Sequence, residues 1–144
     1  MTRLFVGLCM VVSLYSCKQN TAYKTYLHDP QLFSNTVHEL NNIVMGNNFP
    51  AMIAARNYTY AAIAAYEIIA QTDDKYQTLA GQLPELTPIP VLDTTKNINP
   101  QLSALIAHMI LSKKLIFSED RITTMQDSLY GVWKNTNEDQ FEAS

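Results

Sequence analysis

Cysteine and glycine are both scarce in this chain of 144 residues, and each scarcity excludes a class of structure. The two cysteines, Cys9 and Cys17, lie near the amino terminus, so the folded part has no disulfide framework. The four glycines are isolated and form no phosphate-binding loop. No stretch alternates polar and apolar residues over a useful length, so the sequence predicts no strand. We also find no internal repeat.

Clusters of positive charge are absent as well. The net charge is -3 at pH 7, charged residues make up 16% of the chain, and the lysines and arginines form no extended basic run. A nucleic-acid surface needs clustered lysine and arginine to neutralise phosphates, so we expect no nucleic-acid partner. Hydrophobic residues make up 47%, which is typical of a globular protein and argues against disorder over most of the length.

The amino terminus has the layout of a bacterial lipoprotein leader. Arg3 precedes an apolar stretch, Leu4 to Leu14, that is too short to span a membrane as a stable helix. Ser16 is small, as cleavage requires, and it directly precedes Cys17. We therefore expect residues 1–16 to be a signal peptide, Cys17 to carry lipid and residues 17–28 to form a polar tether. This predicts an exported protein anchored in the cell envelope, in the outer membrane or periplasm. An ordinary cleaved signal is the alternative.

Helical signals dominate residues 29–134, which predicts an all-α fold, a partial bundle of about four to five helices. Asp29-Pro30 and Asn99-Pro100 are capping residues followed by a proline suited to the first helical position. The first pair predicts a helix over about 30–45, and Ser118 indicates another helix start.

A short helix is expected from Lys75 to about Gln82, before a proline-rich loop over residues 83–100. Residues 135–144 read as a polar tail or truncation point. The apolar stripe predicted for the first helix consists of Phe33, Val37, Leu40 and Val44.

The helix predicted from about Phe49-Pro50 to Ala70 is rich in alanine and apolar on nearly every side, which is typical of a central, buried helix. Arg56, Asn57 and Glu67 interrupt it, so we do not expect it to span a membrane. Buried polar groups need partners, so we expect those of Arg56 and Glu67 to lie largely outside this chain. We call the polar residues of this helix the polar set; its members are Arg56, Asn57, Tyr60 and Glu67, joined by Tyr58 and Tyr66. They are expected to form a hydrogen-bonded structural network in the core, or to support a cleft from behind.

No complete catalytic or metal site is present in these residues. The three histidines, His28, His38 and His108, do not have the spacing of a zinc site, and His38-Glu39 lacks the second histidine of a zincin motif. No Gly-x-Ser-x-Gly nucleophile motif occurs. We therefore predict no catalytic residue and no metal ligand in this chain.

Nearly all of residues 27–130 resembles the amino-terminal part of Bacteroidetes-type lipoproteins in the vanadium-dependent haloperoxidase and type-2 phosphatidic acid phosphatase superfamily. The Phe117-Ser118-Glu119 helix start fits the resemblance too. The other segments that carry it are Leu27–Pro30, Thr36–Met45, Phe49–Glu67, Tyr76–Leu83 and Leu86–Pro90.

The resemblance implies a helical bundle that holds vanadate or a substrate phosphate in a pocket late in the full-length chain. The family's signature there comprises a lysine with Arg-Pro, then Pro-Ser-Gly-His, then Ser-Arg followed by histidine and aspartate. Cations would neutralise the oxyanion, and histidines would attack, coordinate or transfer protons. None of these motifs occurs in this sequence. The resemblance therefore implies an inactive amino-terminal portion whose partners are missing carboxy-terminal helices.

A second hypothesis comes from another class of protein. The chain would be a stand-alone helical lipoprotein that binds a glycan or a protein partner in the same compartment. The genomic sequence downstream of Ser144 separates the two hypotheses.

Overall fold

The structure, a computed structural model, describes residues 28–93, 95–135 and 138–144, and within them the fold is all-α, as predicted. The predicted signal peptide and nearly all of the predicted tether, including Cys17, lie outside the described residues. No strand forms in the described part, where Ala80 and Leu83 make an isolated bridge. The helices are α1 Pro30–Gly46, α2 Ala51–Ala70, α3 Pro100–Lys114, α4 Glu119–Lys134 and α5 Glu138–Ala143.

Local capping chemistry starts α1 and α3. The Asp29 side chain accepts a hydrogen bond from the Gln31 N–H at 2.9 Å, and the Asn99 side chain accepts one from the Leu102 N–H at 3.0 Å. Each cap is followed by proline, whose missing N–H costs nothing at a position that has no helical acceptor. Both predicted starts are therefore confirmed.

The core lies between the long helices, with α2 and α3 making the most extensive contact. Burial of these apolar side chains supplies the main driving force for folding. The largest fully buried apolar side chains are Trp133, Leu40, Ile43, Met109, Ile122 and Val44.

The apolar stripe of α1 is rotated from the one predicted. Phe33 and Val37 are 40% and 39% exposed, whereas Leu32 and Thr36 are buried with Leu40. Thr36 can be buried because its hydroxyl donates a hydrogen bond to the Phe33 carbonyl at 2.7 Å, inside the same helix. Hydrophobicity alone could not assign a threonine to the buried face.

The short helix predicted from Lys75 to Gln82 does not form, so this prediction was wrong. The Leu79 N–H and the Thr78 hydroxyl are both held by Glu67 of α2, at 2.6 Å each. The Asp73 side chain accepts from the Lys75 N–H at 3.0 Å, and Gly81 has a φ of +80°. The side chains of Glu67 and Asp73 thus accept hydrogen bonds from donors of this segment. These bonds stabilise a loop conformation in competition with a helix.

The end of the chain contributes a short helix where the sequence predicted only a polar tail or truncation point. The Phe141 ring in α5 lies 5.1 Å from the Tyr130 ring, edge to face, and packs against the core.

Among the described residues, no helix has the length and apolar character needed to cross a membrane.

Candidate functional site

Glu67, the acidic member of the predicted polar set, is buried, at 2% exposure. Its two carboxyl oxygens accept hydrogen bonds from the Thr78 hydroxyl and the Leu79 N–H. The expectation that partners of Glu67 lie outside this chain was therefore wrong for these two contacts. Glu67 attaches the loop after α2 to the body of the helix, which is a structural role.

Asn57, Tyr58 and Tyr66 also make hydrogen bonds within the chain. The Asn57 side chain donates to the Leu115 carbonyl at 2.9 Å, just beyond the end of α3. The Tyr58 hydroxyl donates to the Asn41 side chain at 2.8 Å, and the Tyr66 hydroxyl donates to the Gln77 carbonyl at 2.9 Å. These bonds join α2 to α3, to α1 and to its own following loop. Asn57 is buried, at 4% exposure, so its bond satisfies an amide that would otherwise be left without a partner.

Arg56 and Tyr60 lie apart from this network. Both are exposed on α2, Tyr60 at 46%, and Arg56 makes no hydrogen bond or ion pair with the residues that the structure describes. The expectation of a central, buried α2 is met only in part, because the described residues leave much of this helix exposed. In the twenty-residue helix, the buried residues are Asn57, Ala61, Ala65 and Glu67.

A groove of about 870 Å³ runs between α2 and the proline-rich loop. We call it the proline-loop groove; Tyr60, Ile63 and Glu67 line its α2 side, and residues 83–93 line most of the other side. Gln71 holds the loop in place, because its Oε1 accepts from the Leu92 N–H at 2.9 Å. The Gln71 Nε2 donates to the Pro90 carbonyl at 3.4 Å. Sequence reasoning missed Gln71, whose position directly after α2 and before the proline segment was the available signal.

A second apolar groove, of about 560 Å³, lies where the first turns of α1 and α3 meet α2. His108 of α3 contacts Phe33, one of the residues lining this groove, with ring centroids 5.1 Å apart in an edge-to-face arrangement. His108 is 2% exposed, and burial lowers its pKa from 6.5 to about 4. Its Nδ1 has no hydrogen-bond partner in the described part of the chain. A neutral, desolvated histidine fits a core position.

The described residues contain no group of three or more histidine, cysteine, aspartate or glutamate side chains placed to hold a metal ion. His28 and His38 are exposed, and neither lies in a cluster of this kind. The histidines that the sequence singled out are thus not brought together.

Vanadate, which the resemblance implies for full-length relatives, needs cations and histidines that converge on one oxyanion. The described residues do not fit that requirement. Arg121 of α4 is paired with Glu39 at 2.7 Å, so a carboxylate already faces its guanidinium. Arg56 stands exposed on α2, and His108 is buried beside Phe33.

Comparison with solved structures finds a similarity to a crystal structure described as that of the first bacterial vanadium-dependent iodoperoxidase. The sequences are 46% identical, the TM-score is 0.77, and the match covers 79% of this chain. It covers 28% of the iodoperoxidase chain, so this chain spans less than a third of that protein. The helices of this chain therefore reproduce one part of a vanadium haloperoxidase fold. No family model and no curated protein matches this sequence.

Proposed function

We propose that this chain is the amino-terminal helical portion of a lipoprotein of the vanadium haloperoxidase and phosphatidic acid phosphatase type. The observation that carries the proposal is the 46% identity to the iodoperoxidase over most of this chain, combined with its coverage of only part of that protein. Within the complete protein, the role of this portion is structural: it contributes helices and apolar surface to a catalytic body formed elsewhere.

The proposal predicts that residues 18–144 alone have no activity. The purified segment should hydrolyse no phosphomonoester and oxidise neither bromide nor iodide, with or without added vanadate. The reason is that the described residues bring no second histidine and no unpaired cation to one site: His38 and Arg121 line a common pocket, but Glu39 pairs with the Arg121 guanidinium at 2.7 Å. The measurement compares turnover with that of a heat-denatured sample of the same protein. Turnover clearly above the denatured control would reveal a complete site in the chain and contradict the proposal.

The genomic sequence downstream of codon 144 provides an independent test. We expect the open reading frame to continue into Pro-Ser-Gly-His and the other oxyanion-binding motifs. A stop codon directly after Ser144 would contradict the proposal. It would instead favour the stand-alone lipoprotein that binds a glycan or a protein partner.

We propose further that the protein is exported and anchored in the cell envelope through lipid on Cys17. The support is the order of Arg3, the apolar stretch and the small Ser16 directly before the cysteine. In cells fed a clickable fatty acid, the wild-type chain should be labelled and the Cys17→Ala variant should not. A Cys9→Ala variant is the matched control and should be labelled like the wild type. Equal labelling of wild type and Cys17→Ala would contradict lipidation at this residue.

A further inference from the structure

One side of α2 is largely apolar, and the described residues leave most of it exposed. A stripe of residues on this side follows helical spacing, at steps of three and four. Met52 is 85% exposed and Tyr60 is 46% exposed, and Ile63 is half-buried at the end of the stripe. We call this surface the outer stripe; it consists of Met52, Ala55, Arg56, Thr59, Tyr60 and Ile63.

The outer stripe lacks the charge pattern of a helix side that faces water. The whole of α2 carries two charged residues, and one of them, Glu67, is buried. Solvent-facing helix surfaces in globular proteins are normally charged or polar, whereas contiguous exposed apolar surface is typical of an interaction site. The polar group of Thr59 is already satisfied, since its hydroxyl donates to the Ala55 carbonyl at 2.8 Å. Covering Thr59 would therefore leave no donor without a partner.

The outer stripe continues into the proline-loop groove, because Tyr60 and Ile63 belong to both. On the far side of the groove, Val91 is 88% exposed and Leu83 is 40% exposed. The apolar surface thus extends from the exposed side of α2 across a concave region bounded by a loop that Gln71 holds in place. A groove whose walls are mostly apolar suits an incoming amphipathic helix better than it suits a small polar ligand.

Arg56 sets a chemical requirement on whatever covers the stripe. It is the one charged member of the outer stripe, and no described residue pairs with it. Desolvating an unpaired guanidinium is costly, so the occupant must place a carboxylate or carbonyl oxygens opposite Arg56. The small side chains of Ala55 and Thr59 beside it allow close approach of a second helix backbone.

We infer that the outer stripe and the proline-loop groove form the docking surface for a helix from the remaining part of the same haloperoxidase-like protein, with an acceptor opposite Arg56. This inference rests on the proposed function. The amount of chain in the matched iodoperoxidase supports this occupant, because more than two thirds of that chain lies outside the match and can supply the helix. A second copy of this chain is the competing occupant, and a binding experiment separates the two.

The test uses residues 18–144, which retain every described residue, tagged and co-expressed in a bacterial host. The probe is the part of the iodoperoxidase chain that lies outside the match. The wild-type segment should co-purify with the probe, and its affinity is then measured by titration. The double variant Met52→Lys/Tyr60→Lys should weaken binding by about 10–100-fold, because two charges replace apolar contacts. Arg56→Glu should weaken it by about tenfold or more, since it sets a carboxylate against the expected acceptor.

The matched control is Met45→Lys in α1, which repeats one of the two lysine substitutions at a methionine that is 66% exposed but lies outside the stripe. It should bind like the wild type, and circular dichroism should show the same helix content in all variants. If the wild type and the double variant bind the probe equally, the docking surface is wrong while the proposed function stands. No binding by the wild type at all would count against the proposed function itself. A wild-type dimer that the double variant converts to a monomer would identify a second copy as the occupant and overturn the inference.

Discussion

Replacing Glu67 with alanine should lower the free energy of unfolding by about 2–4 kcal/mol, a large part of the 5–15 kcal/mol that typically stabilises a domain. The side chain is buried, and it accepts hydrogen bonds from the Thr78 hydroxyl and the Leu79 N–H at 2.6 Å each. Alanine would leave a cavity beside α2 and release the loop that the carboxyl group holds. Urea-induced unfolding followed by circular dichroism measures the change.

Two further variants test whether the hydrogen bonds carry this effect. Glu67→Gln keeps one acceptor oxygen and nearly the same volume, so its loss of stability should be smaller than that of the alanine variant. Asp74→Ala removes an exposed acidic side chain from the same loop and should change stability by less than about 0.5 kcal/mol. If Glu67→Ala and Asp74→Ala had equal effects, Glu67 would not anchor the loop.

Acid should destabilise the protein through His108 over the window from pH 6.5 to about 4. Burial lowers the pKa of this histidine to about 4, whereas the unfolded chain takes up the proton near 6.5. The neutral folded form is therefore favoured above pH 6.5, and its advantage is lost as the pH falls through the window. At about 1.4 kcal/mol per pH unit, the loss approaches about 3 kcal/mol. Denaturant unfolding at a series of pH values measures it.

His108→Leu removes this titration and should flatten the pH dependence between pH 6.5 and 4. His38→Gln, at an exposed position of α1, should retain the wild-type slope. Hydrogen bonds from the Thr95 hydroxyl and backbone N–H lower the pKa of Asp93 from its ordinary value. An unchanged slope in His108→Leu would show that other groups cause the acid sensitivity.

The candidate site was only partly predictable, and the polar residues of α2 show why. Their residue types indicated that partners were needed. The structure supplies one for Asn57 from the distant end of α3, and those for Glu67 from the loop that follows α2. Arg56 and Tyr60, from the same predicted set, are exposed instead. Helical spacing places residues on a common side, but which side is covered depends on the elements packed against the helix. The proline-loop groove was not predicted because it exists only where a loop returns to α2.

The sequence by itself determined the elements whose signals are local. Asp29-Pro30 and Asn99-Pro100 start helices because a capping side chain and a proline act on the first turn alone. Tertiary structure decided the outcomes that depend on contacts across the chain. In place of the helix predicted from Lys75 there is a loop, which Glu67 holds through residues eleven and twelve positions later in the chain. On α1, the buried side includes Leu32 and not the predicted Phe33. The physical reason is that a hydrogen-bond donor of the chain pairs with the acceptor that the fold brings closest to it. Helix propensity, in contrast, describes a segment of sequence without the elements that pack against it.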